Sequence, residues 1–230
     1  VSVEFAGQKK AAKADASGRW SLRLDPLTAS AESRQLTATG KDGRKAEVSD
    51  VLVGDVWLGS GQSNMAMTVN RAKDFEQEKA AATFPLIRHF KEESAGAPTA
   101  QTQAKGKWLA CTPDNVGGFS ATLYFFGREI HRETGVPIGL INTSVGGTPI
   151  EAWIAPEIQE SKPELSAALK AQSAALPKID PEKAQADHAE ALKKFKAAKA
   201  KAVAEGTKAP RPPRNAAEVS ERKGSYGQLF

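Results

Sequence analysis

A strand, a helix and a second strand follow one another in the middle of the sequence, and this order restricts the fold more than any other feature. Ser120 is placed to cap a helix that runs to about Glu133, and Gly135 is placed to end it. The segment PIGLIN, from Pro137 to Asn142, then indicates a short buried strand. Strands that alternate with helices at this spacing form βαβ units, so the sequence predicts an α/β fold with a parallel sheet.

The residues on either side of this region have different patterns. In residues 1–53, apolar and polar residues alternate between turn formers, which predicts short strands, including one at Trp20, Leu22 and Leu24. The apolar run 51–58 predicts a buried strand that leads into the α/β region.

The last third of the chain is rich in alanine and lysine. Ser161 to Glu164 form a capping box with a proline in the first turn, and Asp180 opens a second helix that Gly206 can close. We therefore predict three parts: a β-sandwich-like part at 1–53, the N-terminal half of an α/β core at 54–159, and a helical hairpin with a Pro-rich linker at 160–230.

Composition and charge exclude several classes of function. The net charge is +5, and the whole excess lies in residues 160–230, which contain 14 basic and 9 acidic side chains. Few aromatic residues accompany these lysines, so the sequence favours a solvated helical face over a nucleic-acid-binding surface. No apolar run approaches the roughly 20 residues of a membrane-spanning helix. No His/Cys/Asp/Glu cluster has metal-ligand spacing, and we predict neither a metal nor another cofactor.

The stretch GDVWLGSGQSNM, residues 54–65, places a serine where an apolar run ends. At a turn between a strand and a helix, backbone N–H groups are unpaired and the helix dipole favours negative charge. A serine there can act as a nucleophile if a base removes its proton and donors stabilise the resulting oxyanion. Ser63 is therefore a candidate nucleophile. The local alternative is that Ser63 only caps the helix, since the stretch matches neither G-x-S-x-G nor G-x-G-x-x-G.

A second glycine-containing loop, NTSVGGTPI at residues 142–150, also follows a predicted buried strand. Its glycines could serve only the turn, or they could let the backbone approach a ligand. The carboxyl ends of parallel strands meet at one edge of a sheet, where open α/β sheets bind their ligands. We therefore expect the two loops to line one crevice.

Three ordered blocks resemble the sialate O-acetylesterase family of SGNH/GDSL-type serine esterases: GDVWLGSGQSNM (54–65), FSATLYFFGREIH (119–131) and GVPIGLINTSVGGTPIEAW (135–153). The resemblance implies a three-layer α/β/α core, incomplete in this chain, with a β-rich N-terminal part. It also implies hydrolysis of acetyl esters on sugar hydroxyls, typically those of sialic acid, and a secreted or periplasmic location.

The resemblance also assigns roles to individual residues. Ser63 matches the family's nucleophile, and the pair Gly146 and Gly147 matches the block that contributes a backbone N–H to the oxyanion hole, with the N–H of Ser63 as a further donor. Trp57 and Trp153 match positions that we interpret as core packing. The candidate substrate contacts are the polar residues around the two loops, namely Gln62, Asn64, Asn142 and Thr148.

The family pattern continues with a WYQGE-like block and an Asp-x-x-His motif, and neither occurs in this sequence. We expect the C-terminal remainder of the same enzyme to supply the base, and we expect this chain to be inactive alone. Of its histidines, His89 is the first candidate for a base within the chain, ahead of His131 and His188. The expected partner is an O-acetylated sugar or glycan; the alternatives are a non-catalytic glycan-binding module and an acetylxylan-type esterase.

Overall fold

The computed structural model describes residues 1–93, 101–175 and 180–213. The chain divides into two compact units, Val1–Glu93 with Ala104–Gly147, and Thr148–Phe230 with Ser94–Gln103. In the first unit the strands and longer helices are β1 (Ser2–Phe5), β2 (Gln8–Ala11), β3 (Ser30–Thr39), β4 (Lys45–Val53), β5 (Asp55–Gly59), α1 (Ser63–Ala66), α2 (Phe75–Ala81), β6 (Phe84–Lys91), β7 (Trp108–Cys111), α3 (Ala121–Thr134) and β8 (Ile138–Asn142).

The N-terminal residues form one antiparallel sheet in the order β2-β1-β3-β4. The strand predicted at Trp20 to Leu24 is wrong, because the described residues 12–29 form no strand. Side chains hold this segment instead: the amide of Asp25 donates to the Gln8 side-chain oxygen at 2.8 Å, and Lys10 donates to the Asp25 carboxylate at 2.6 Å. The alternating apolar residues therefore have no partner strand to form a ladder with.

A second sheet has the order β5-β8-β6-β7. Strands β5, β8 and β6 are parallel, and β7 pairs antiparallel with β6. Because Asp55 pairs with Ile138 and Gly59 pairs with Asn142, β5 and β8 end level with each other. The predicted α/β fold class is confirmed, and the loops after β5 and β8 leave the same edge of the sheet.

Helix α3 covers this sheet, with the caps that the sequence predicts. The Ser120 hydroxyl accepts the N–H of Leu123 at the first turn, and Gly135 ends the helix at φ +69°. Gly127 lies against β8, where an added Cβ would lie 2.8 Å from a methyl carbon of Leu140. The core of the unit lies between α3 and the sheet and includes these buried residues: Val69, Ala82, Ile87, Cys111, Val116, Phe119, Ala121, Leu123, Tyr124, Ile138 and Leu140.

The predicted buried strand over 51–58 is wrong, because Gly54 divides it into β4 and β5, which belong to different sheets. Strand β5 is an edge strand, and its side chains Val56 and Leu58 are 64% and 67% exposed. An added Cβ on Gly54 would lie 2.0 Å from the carbonyl oxygen of Pro137, so only glycine fits at this break.

The second unit contains α4 (Pro156–Glu160), α5 (Pro163–Ala175) and α6 (Pro181–Ala204). The two predicted longer helices are present: the Asp180 carboxylate accepts backbone N–H groups at the start of α6, and Gly206 follows its end at φ +65°. The predicted capping box at Ser161 is wrong, because Ser161 ends α4 and its hydroxyl donates to the carbonyl of Ile158 at 2.8 Å. The connection between α5 and α6, residues 176–179, lies outside the described residues, as do residues 214–230 of the predicted third part. Within the described part of the chain, no helix combines the length and apolar character that crossing a membrane requires.

Candidate active site

Ser63 lies on the turn that joins the end of β5 to the start of α1, and its side chain is exposed. The residue that caps α1 is Gln62, not Ser63. The Gln62 side-chain oxygen accepts the Ser63 hydroxyl at 2.9 Å and the Ser63 backbone N–H at 3.2 Å. The hydroxyl therefore bonds to a side chain that can rotate, rather than to the backbone of its own helix.

The loop after β8 lies directly against this turn. The N–H of Thr143 donates to the carbonyl of Gly59 at 3.0 Å, and the N–H of Val145 donates to the carbonyl of Gly61 at 2.9 Å. These bonds continue the parallel pairing of β5 and β8 beyond the ends of both strands. They bring Gly146 so close that a Cβ on it would lie 3.5 Å from the Ser63 Oγ. The structure thus brings together the two loops that the sequence predicts to share a crevice.

The candidate substrate contacts have different environments. Asn64 is exposed next to Ser63, as is Gln62. Asn142 is only 3% exposed, and its side-chain oxygen accepts the backbone N–H and the hydroxyl of Ser144 at 2.9 and 2.5 Å. Asn142 therefore shapes the base of the second loop. Thr148 belongs to the second unit, where its hydroxyl accepts the indole N–H of Trp153 at 3.0 Å.

The start of α3 is hydrogen-bonded to the residues that follow Ser63. The carbonyl of Asn64 accepts the Thr122 hydroxyl at 3.1 Å, and the carbonyl of Met65 accepts the Ser120 hydroxyl at 2.6 Å. The carbonyl of Met67 accepts the N–H of Ala121 at 2.8 Å. The sequence indicates Ser120 only as a helix cap, because a contact across 55 positions leaves no local signal.

His89 contributes to this arrangement from within the core. Its ring is stacked on Phe119 with 4.6 Å between the ring centroids, and its Nε2 accepts the N–H of Ser120 at 3.3 Å. Burial, and to a smaller extent the nearby charge of Lys91, together lower the pKa of His89 from the ordinary 6.5 to about 4. His89 is therefore neutral near pH 7 and bonded to Ser120, and the described partner of the Ser63 hydroxyl is Gln62 rather than a histidine.

The stability of the chain is expected to decrease when the pH falls from about 6.5 to about 4. In this window the unfolded His89 binds a proton that the folded one does not, so protonation favours the unfolded state by about 3 kcal/mol in total. Urea unfolding from pH 7 to pH 4 measures this, and His89→Gln serves as the control without a titrating ring. An equal loss of stability in both proteins would contradict the assignment.

Gly146→Ala is expected to fold normally, with the new methyl group in van der Waals contact with the Ser63 hydroxyl. The new Cβ would lie 3.5 Å from the hydroxyl oxygen, and the backbone at Gly146 is not in the left-handed region. Gly147→Ala, at φ +80°, should instead destabilise the chain by about 1–2 kcal/mol. Thermal unfolding of both variants measures the difference, and a loss of stability in Gly146→Ala equal to that in Gly147→Ala would contradict it.

Comparison with known proteins identifies the family. Residues 53–186, more than half of the chain, match the family model described as carbohydrate esterase, sialic acid-specific acetylesterase. The chain belongs to this family. The match includes the Ser63 turn and the Gly146 loop. It therefore covers both segments that form the candidate active site.

Individual relatives of this acetylesterase family agree with the assignment. The chain is 34% identical over 148 residues to the sialate O-acetylesterases of Rattus norvegicus and Homo sapiens, across 60% of its own length. It is also similar to the crystal structure of a carbohydrate acetylesterase from Xanthomonas citri, with a TM-score of 0.66 and 40% sequence identity over 70% of the chain. The matched part is 27–28% of the two curated relatives and 37% of the crystallised chain.

Proposed function

We propose that this chain carries the nucleophile of a carbohydrate O-acetylesterase that hydrolyses acetyl esters on sugar hydroxyls, with O-acetylated sialic acid as the substrate class. One observation carries the proposal: the exposed Ser63 hydroxyl lies on a strand-to-helix turn with the backbone of Gly146 beside it. The names of the relatives support the substrate class, since they are sialate and carbohydrate acetylesterases.

The proposed reaction begins with attack of the Ser63 Oγ on the acetyl carbonyl carbon while a base takes the hydroxyl proton. The carbonyl oxygen becomes an oxyanion, which the N–H of Ser63 and an N–H of Gly146 or Gly147 stabilise. Collapse of this intermediate breaks the ester bond, and the sugar leaves with the proton. Water then releases acetate from Ser63. Because Gln62 accepts both the N–H and the hydroxyl of Ser63, its carboxamide must turn aside before substrate binds.

The base in this proposal comes from outside the described residues. His89 is buried and accepts an N–H from Ser120, so its ring is occupied. We therefore propose that residues after Phe230 supply the histidine and the carboxylate that orients it, as the family resemblance implies. A secreted or periplasmic location stays a prediction.

Acetate release from 4-nitrophenyl acetate, O-acetylated sialic acid and acetylated xylan tests the proposal. The 230-residue chain is compared with a protein that extends beyond Phe230, and only the extended protein is expected to turn over ester. Preference for acetylated xylan would change the substrate class. Binding of glycan without any acetate release from the extended protein would overturn the esterase and support a glycan-binding module.

A further inference from the structure

A buried chain of hydrogen bonds connects His89 to the turn that carries Ser63. Nε2 of His89 accepts the N–H of Ser120, and the Ser120 hydroxyl donates to the carbonyl of Met65. Met65 is two residues after Ser63 and lies in the same short helix, α1. His89 and Ser120 are 2% and 0% exposed, so water does not compete for these bonds.

Both acceptors within reach of the Ser120 hydroxyl belong to Met65, its carbonyl oxygen at 2.6 Å and its Sδ at 3.5 Å. A serine hydroxyl has one proton to donate. The Ser120 oxygen also accepts the N–H of Leu123 at 3.3 Å, and its proton goes to the carbonyl of Met65, which is the nearer and stronger acceptor. His89 holds the backbone of the same serine. A displacement of Ser120 would therefore move the cap of α3 and the turn together.

The neutral form of the His89 ring can accept the N–H of Ser120. An acceptor at Nε2 requires that the ring proton be on Nδ1. A buried N–H without an acceptor is costly, and Ser120, as the capping residue, cannot use an acceptor within its own helix. The stacked ring of Phe119 fixes the plane of the imidazole, so Nε2 lies where the N–H of Ser120 points.

We propose that His89 is a positioning residue for Ser63, acting through Ser120 and the carbonyl of Met65. This inference rests on the proposed role of Ser63 as the nucleophile. His89 does not touch the reacting atoms. It holds the Ser63 turn in the position where the hydroxyl lies beside Gly146. Misplacement of a nucleophile by about 1 Å can lower the rate by up to about 100-fold.

The test uses the extended, active protein and compares His89→Leu with His89→Gln. Leucine fills much of the same space without an acceptor, whereas the glutamine side-chain oxygen can accept the N–H of Ser120. We expect kcat to fall about tenfold in His89→Leu with KM unchanged, and to recover to within about threefold of the original in His89→Gln. Rates are divided by the folded fraction, which circular dichroism measures.

Ile87→Ala is the matched control. Ile87 is a fully buried residue of the same strand, and its side chain belongs to the apolar core rather than to the hydrogen bonds that lead to the turn. It should lower stability and leave kcat per folded molecule unchanged. If His89→Leu does not fold, Ser120→Ala removes the donor to Met65 and is expected to lower kcat by the same factor. Unchanged kcat per folded molecule in both His89→Leu and Ser120→Ala would overturn the positioning role.

The failure of this inference and the failure of the proposed function give different results. If Ser63→Ala abolishes turnover while His89→Leu keeps its kcat, only the positioning role is wrong. If Ser63→Ala keeps full turnover, Ser63 is not the nucleophile, and both proposals fail together. Equal losses in His89→Leu and His89→Gln would also contradict the role of the Nε2 acceptor.

Discussion

Ser63→Ala is expected to lower kcat for acetate release by the extended protein by at least about 10⁴-fold. Removal of the hydroxyl would eliminate the proposed acetyl-enzyme intermediate, while the backbone N–H groups proposed to stabilise the oxyanion, at Ser63 and at Gly146 or Gly147, would remain in place. Without a nucleophile, these donors and substrate binding together support only a small residual rate of hydrolysis. KM for O-acetylated sialic acid should stay near its original value, because the hydroxyl contributes little to binding the ground state.

Ser60→Ala is the matched control for this experiment. Ser60 is an exposed serine of the same turn, three residues before Ser63 and directly after β5. Its substitution should leave kcat within about twofold, since surface substitutions away from special features have small effects. A Ser63→Ala protein that retains more than a tenth of the original kcat would show that another group attacks the ester.

Gly54→Ala is expected to destabilise the first unit by about 3 kcal/mol or more, at the upper end of the usual cost of overpacking. The added Cβ would lie 2.0 Å from the carbonyl oxygen of Pro137 and 2.8 Å from its carbonyl carbon. These are backbone atoms, which cannot rotate away as a side chain can. The same oxygen accepts the N–H of Asp55 at 3.0 Å, so relief of the clash would break the first bond between β5 and the segment before β8.

Urea unfolding measures this effect, and Gly118→Ala is the control. Gly118 has nothing within 4 Å of an added Cβ and is not in the left-handed region, so its substitution should change the free energy of unfolding by less than about 1 kcal/mol. Because β5 leads directly to Ser63, Gly54→Ala should also lower esterase activity in the extended protein. Equal stability of the two variants would contradict this steric role of Gly54.

The sequence by itself determined the α/β class, helix α3 and strand β8. Ser120 begins the helix and Gly135 ends it, through hydrogen bonds and backbone angles that involve residues within four positions of each cap. The apolar pattern of Pro137 to Asn142 is equally local. The sequence also indicated both loops of the candidate site, because glycines and small polar residues directly after apolar runs can be recognised without knowledge of the fold.

Only the tertiary structure decided how these segments meet. The break at Gly54 depends on Pro137, which is 83 positions away, and the exposed side chains of β5 reflect its place at the edge of the sheet. The alternating residues Trp20 to Leu24 pair with no strand, and the segment is held by hydrogen bonds between Asp25 and the side chains of Gln8 and Lys10.

The same holds for the residues beneath the candidate nucleophile. The sequence suggested His89 as a base and Ser120 as a cap. In the fold, Ser120 donates its N–H to His89 and its hydroxyl to the carbonyl of Met65. Caps and hydrophobic periodicity act within one or two turns of chain, so a sequence displays them directly. The hydrogen bonds that hold the turn carrying Ser63 join residues 31 to 58 positions apart, and these bonds form only once the sheet and α3 have packed.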